Sequence, residues 1–194
     1  IGAIVYKICG MNTFDSITMI LSTVGTGGFG NFNSSMGAYS PAVQWAVIVF
    51  MLLSGINYSV YFCLLRRQFK EAFSISEVKW YFGIVIVSTA VIAWNIHGLY
   101  SNTSDTIRHA AFQVSTLITS TGFSTVDFDL WPSLSKSILV ILMFCGACSG
   151  STGGGMKISR WLIMVKTILK ELSTLIPPRQ VKKIHMVGRV VEHE

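Results

Sequence analysis

Residues 22–33 read STVGTGGFGNFN. An apolar run with the make-up of a helix ends here on Gly25, Gly27 and Gly28, and Gly30 follows two positions on. A glycine inside a helix costs roughly 1 kcal/mol relative to alanine. A stretch that gathers them is therefore suited to a bare, extended backbone. Residues 116–127, TLITSTGFSTVD, repeat the event: a mixed polar and apolar helix runs into Gly122-Phe123, 94 residues after Gly28-Phe29 in a chain of 194. The two passages divide the sequence into matching halves.

Composition names the solvent. The chain is 51% hydrophobic and only 12% charged, with a mean hydropathy of +0.56. Soluble domains carry about a quarter charged residues, so this balance points to lipid. Apolar runs long enough for the about 20 residues that a bilayer core requires are Ala42–Leu65, interrupted at Ser54–Asn57, and Trp80–Leu99. A third starts at Ser137–Cys148, is broken by SGSTGGG at Ser149–Gly155, and resumes as MKISRWLIMVKTILKEL. Thr13–Val24 and Asp105–Thr119 are too short and too polar to cross. Each carries helix-start chemistry, Asn12-Thr13 before Asp15 in one and Ser104-Asp105-Thr106 in the other.

The net charge of +6 would suit a nucleic-acid binder, but its distribution is topological. Of 15 basic residues, 12 fall in two places: Arg66, Arg67, Lys70 and Lys79, then the eight from Lys157 to Arg189. The positive-inside rule makes that side cytoplasmic. The half-length helices and glycine stretches then face outward, beside Asp15, Asp105, Asp127 and Asp129. The expected fold is an all-α membrane protein made of repeated units, each a helix, a pore half-helix, a filter loop and a long helix broken in its middle. The first unit covers 1–65, with its first helix truncated at Ile1–Lys7, and 66–79 is a cytoplasmic linker. The second unit covers 80–176, and 177–194 is a basic cytoplasmic tail from Pro177 onward. Parallel duplication of this kind is common in transporters.

Extended backbone at membrane depth is tolerated where it lines a water-filled path. Glycine lets carbonyl oxygens turn to that path, where they replace the hydration shell of a monovalent cation. The residues placed for this are Gly25, Thr26, Gly27 and Gly28 in one loop and Thr119, Ser120, Thr121 and Gly122 in the other. No carboxylate lies between Gly25 and Gly30 or between Thr119 and Thr125, which disfavours calcium or magnesium. Asp127 and Asp129 are placed to concentrate cations at the mouth. The residue pattern alone leaves K+ and Na+ both open, as it does a channel and a coupled transporter.

STVGTGGFG, FMLLSGINYS, QVSTLITSTGFST, LWP and above all GACSGSTGGGMKISR resemble, in order from about Met11 to Gly188, the TrkH-type potassium-uptake subunits of the bacterial Trk/Ktr superfamily. The resemblance implies that four such units surround one ion path, and that this chain is a fragment holding the second and third. It implies K+ as the transported ion, no covalently bound cofactor, a homodimer in the bacterial inner membrane, and a cytosolic nucleotide-binding ring subunit docked on the basic face. It also implies that Gly150, Ser151, Thr152, Gly153, Gly154 and Gly155 form an intramembrane gate beneath the filter, with Lys157 at the vestibule.

Other readings of the same residues are weaker. A phosphate-binding loop at Gly150–Gly155 would need a lysine directly after the glycine, and Met156 stands there. Cys145-x-x-Cys148 has metal or redox spacing without a second pair or a nearby histidine. A membrane-embedded enzyme would need a nucleophile, a base or a metal cluster, and no HExxH, GxSxG or paired intramembrane carboxylates occur. A scaffold whose glycines only pack helices remains as an alternative. Asn57 at the first helix break either bonds freed backbone or lines the path. His97 and His109 are expected in interfacial or packing roles, and Trp45, Trp80, Trp94 and Trp131 as interfacial anchors. The tail offers a further attraction to anionic membrane lipid.

Overall fold

In the computed structural model the regular structure of the described residues is nearly all helical. The structure describes residues 1–68, 76–175, 184–186 and 189–191. Residues 69–75 of the expected linker and 176–183, 187–188 and 192–194 of the expected tail lie outside the described residues, with Lys70, Arg179, Lys182 and Lys183 among them.

The first repeat contains α1 (Gly2–Ile8), α2 (Thr13–Val24), α3 (Pro41–Ser54) and α4 (Tyr58–Leu65). The second contains α5 (Ser76–Asn95), α6 (Thr103–Ile118), α7 (Ser133–Phe144) and α8 (Ile158–Leu175). In each repeat the first three helices pack as a triad: α1, α2 and α3 touch one another, as do α5, α6 and α7. The half-helix α6 also lies against α3 and joins the repeats. A short antiparallel ribbon, β1 (Ile184–Met186) with β2 (Arg189–Val191), stands in the tail, paired Ile184 to Val191.

Both half-helices begin on an asparagine. Asn12 Oδ1 accepts from the Asp15 N–H at 2.8 Å, and Asn102 Oδ1 accepts from the Ser104 N–H at 3.3 Å. The second cap is therefore Asn102, not the Ser104-Asp105-Thr106 cluster: the serine is already helical and supplies the donor. α5 is long and apolar enough to cross a bilayer alone. α3 and α4 pass the same test only together and are bent by 90° at Gly55–Asn57. The expected third span is two helices, with α7 ending at Phe144 before the glycine-rich stretch is reached.

Large apolar side chains cover the outside, including Ile4, Val49, Phe62, Ile86 and Trp94, as a protein in hydrocarbon requires. Inside, one cluster gathers Tyr6, Met19, Met36, Val47 and Met51 of the first repeat with Phe112 and Phe123 of the second. The other gathers Ile56 and Val60 with Tyr81, Ile92, Val114, Trp131 and Leu139. Packing thus crosses between the repeats in both directions. Trp131 belongs to this core rather than to an exposed interface, with its Nε1–H donating to the Tyr100 hydroxyl at 3.1 Å.

Candidate functional site

The backbones of the two glycine loops close their helices alike. After α2, the Thr26 N–H donates to the Thr23 carbonyl at 3.2 Å and the Gly27 N–H to the Ser22 carbonyl at 2.8 Å. After α6, the Ser120 N–H donates to Leu117 at 3.0 Å and the Thr121 N–H to Thr116 at 2.8 Å. This paired bonding is the Schellman closure of a helix, which places one residue in the left-handed region and normally uses glycine there. Here the residue is Thr26 (φ 51°) in one loop and Ser120 (φ 57°) in the other. An L side chain at such a φ costs of order 1–2 kcal/mol, the β-branched threonine being the rarer of the two there, and strain of this kind concentrates at functional sites. Two residues on, Gly28 (φ 70°) and Gly122 (φ 91°) again have positive φ. The sign of φ therefore alternates through each loop from Gly25 (−74°) and Thr119 (−87°).

The loops lie side by side. A Cβ on Gly28 would fall onto the Thr121 carbonyl oxygen and 3.2 Å from the Gly122 Cα. Gly122, its counterpart, faces open space. The phenylalanines that follow show the same asymmetry: Phe123 is 1% exposed against the first repeat, and Phe29 is 83% exposed. The hydroxyl of Thr116 accepts from the Gly122 N–H at 3.0 Å, whereas Ser22, at the matching place, has a buried hydroxyl without a partner.

Beneath them runs the glycine-rich stretch. Its base is tied by Gly146 N–H to the Met156 carbonyl at 2.9 Å and Met156 N–H to the Phe144 carbonyl at 3.2 Å. Its tip reaches both loops. Thr26 Oγ1 donates to the Thr152 carbonyl at 3.1 Å, a methyl on Gly153 would stand 3.1 Å from the Thr119 carbonyl oxygen, and one on Gly154 would stand 3.3 Å from Ser120. The Lys157 ammonium folds back to donate to the Gly153 carbonyl.

The break in the first long helix supports this stretch from the side. α3 ends with carbonyls free of the regular helical bond, and these take other donors, Leu53 in addition to the Ile56 N–H at 3.1 Å. Leu52 accepts from the Tyr81 hydroxyl (3.2 Å), Leu53 from Tyr61 (2.6 Å), Ser54 from Thr152 (3.3 Å) and Gly55 from the Cys148 N–H (3.1 Å). Asn57 caps α4 by accepting from the Ser59 N–H at 2.8 Å, while the Tyr58 N–H donates to the Gly150 carbonyl at 3.0 Å. Of the two roles open to Asn57, its carbonyl oxygen therefore takes up freed backbone.

Not every expected residue joins this cluster. Asp127 and Asp129 are exposed at a surface turn, where Asp127 Oδ1 accepts from the Asp129 N–H at 3.0 Å. Asp127 also borders a cleft with Asn33, Ser34, Gly37, Ser124 and Thr125. His109 is a packing residue, 2.9 Å from the Thr125 hydroxyl and with its ring against Tyr100. Two charged residues escaped the sequence reading. Arg108, buried, pairs with Asp105 at 2.7 Å and donates to Gln44 Oε1 at 2.9 Å. Glu77, 5% exposed, receives hydrogen bonds from Ser149 and Ser159 on either side of the glycine-rich stretch. A lone carboxylate at the mouth of an apolar span is the available signal for Glu77.

Two apolar helical repeats thus bring two glycine loops, alike in backbone closure, against one glycine-rich stretch, and comparisons with known proteins give the class to which such a chain belongs. The family model described as TrkH, cation transport protein, matches residues 85–194. The chain is 34% identical to the Trk system potassium uptake protein TrkH of Escherichia coli (strain K12), covering 97% of this chain and 40% of that protein. It is 32% identical to Trk system potassium uptake protein TrkG of the same strain, over 96% of this chain and 39% of the relative. The crystal structure of the potassium transporter TrkH from Vibrio parahaemolyticus superimposes with a TM-score of 0.91 at 31% identity, covering 98% of this chain and 42% of that one. The chain belongs to the TrkH cation-transport family, and it spans about two fifths of the length of the relatives it matches.

Proposed function

We propose that this chain forms two adjacent units of a potassium-uptake path in the bacterial inner membrane, with Gly25–Gly28 and Thr119–Gly122 as two sectors of its filter and Gly150–Gly155 as its gate. The observation that carries the reading is the contact of Gly28 with the Thr121 carbonyl between loops whose backbones close their helices by the same pair of bonds. Alternating φ turns successive N–H groups to one side of a chain and carbonyls to the other. A ring of such segments offers a dehydrated monovalent cation the oxygens it needs. Transport of this kind requires no covalent chemistry and no catalytic side chain.

The asymmetry between Phe29 and Phe123, and between Gly28 and Gly122, supports a further unit on each side, one covering Phe29 and one abutting Gly122. These are the remaining pore units that the length of the relatives leaves room for. K+ as the cargo follows the names of the relatives. The filter loops face the periplasm and Asp127 and Asp129 stand at the mouth. The basic linker and tail face the cytosol, where a nucleotide-binding ring subunit docks on a homodimer.

The test uses the complete subunit in a strain deficient in K+ uptake. Gly122→Ser lowers growth on limiting K+ and reduces discrimination of Rb+ over Na+ at normal membrane abundance. Unchanged ion preference with only less protein in the membrane would return both loops to a structural role.

A further inference from the structure

We infer that Glu77 is a positioning residue for the gate: a carboxylate clasp that holds both ends of the glycine-rich stretch and so sets its place beneath the filter. The inference rests on the gate reading above and adds to it the group that controls the gate. Glu77 is the second residue of α5 and is 5% exposed. Its Oε1 accepts from the Ser149 N–H at 2.7 Å and from the Ser159 N–H at 3.1 Å, and its Oε2 accepts from the Ser149 hydroxyl at 2.9 Å. Ser149 directly precedes Gly150, and Ser159 lies in the first turn of α8. One carboxylate oxygen thus pins residues ten apart in sequence, and everything between them is the loop and its base.

Charge favours this arrangement. A buried carboxylate is stabilised by N–H donors at a helix start, and such charge-assisted bonds are about twice as strong as neutral ones. The tip is joined to the loop after α2 and to α3 by bonds between neutral groups, Thr26 to Thr152 at 3.1 Å and Thr152 to Ser54 at 3.3 Å. Its one charged contact, the Lys157 ammonium on the Gly153 carbonyl, comes from the base of the same stretch and moves with it. The charged tie between the stretch and the rest of the molecule is therefore at its ends. Displacing the loop from the filter as a body breaks the clasp, so the clasp sets the balance between obstructed and open states.

The experiment measures Rb+ and Na+ flux per molecule for the complete subunit reconstituted in vesicles. Glu77→Gln keeps one oxygen for the two serine N–H groups but removes the charge that strengthens those bonds, and it turns an NH2 donor toward the Ser149 hydroxyl, which now donates to the carboxylate. It raises Rb+ flux about tenfold, the factor equivalent to about 1.4 kcal/mol, with the Rb+/Na+ ratio unchanged. Ser149→Ala removes one of the three bonds and raises flux less, and combined with Glu77→Gln it adds nothing. Flux at or below wild type in Glu77→Gln overturns the clasp. If that variant does not accumulate, Ser149→Ala alone decides by the same criterion. Deleting Gly153 and Gly154 separates the two readings: raised flux there with unchanged flux in Glu77→Gln removes the clasp and keeps the gate, whereas unchanged flux in both removes the gate as well.

Discussion

Thr26 and Ser120 hold a backbone conformation that glycine adopts at no steric cost, in a sequence with glycines on either side of Thr26. A hydroxyl is kept there against a penalty of about 1–2 kcal/mol. For Thr26 the compensation is visible, since its Oγ1 stands 2.8 Å from the Gly25 carbonyl and 3.1 Å from the Thr152 carbonyl of the glycine-rich stretch, with its proton shared between them. Gly28 is constrained from the other direction, by φ and by the oxygen of the neighbouring loop. Left-handed strain and overpacking together make Gly28→Ala cost roughly 2–5 kcal/mol. Thermal unfolding of the purified complete subunit reads this as a lower melting temperature; an unchanged one would mean that the two loops do not touch. The sequence made Gly28 and Gly122 legible as a pair, because glycine density survives without any knowledge of the fold. It hid the strain at Thr26 and Ser120, since nothing in their composition distinguishes a left-handed threonine from an extended one.

Among the elements, the half-helices are the best read from sequence. Thr13–Val24 has the boundaries that its polar start and glycine end announce. The long helices are less so, because apolar runs mark burial in lipid and not where a helix stops. The 90° turn between α3 and α4 depends on carbonyls of α3 meeting Tyr61, Tyr81, Thr152 and Cys148, three of them far along the chain. Glu77 was hidden for the same reason: its partners are more than 70 residues away and are neutral serines. Arg108 joins the repeats in like manner. It ties α6 to α3 through Gln44, whose amide in turn donates to the Met36 and Tyr39 carbonyls at 3.0 and 3.1 Å. Arg108→Ala removes the buried cation and leaves Gln44 Oε1 without its donor, which costs about 2–4 kcal/mol. A thermal-unfolding cycle with Gln44→Ala checks it, and additive losses would show that the pair is not coupled.

At the scale of the molecule, the two loops share their backbone closure and differ in their surroundings. Phe123 is enclosed and Phe29 is bare; Gly28 abuts a carbonyl and Gly122 abuts nothing. The contact edge of each repeat is thus filled by the other, and the opposite edge, Phe29 in one and Gly122 in the other, is left uncovered, as the proposed ring of units requires. The most direct measurement is the position of bound Rb+ in crystals of the complete subunit, read from its anomalous scattering. The account places Rb+ on a single axis beside the Gly25–Gly28 and Thr119–Gly122 carbonyls, directly above Thr152–Gly154. Rb+ held elsewhere, with none at either loop, would contradict it.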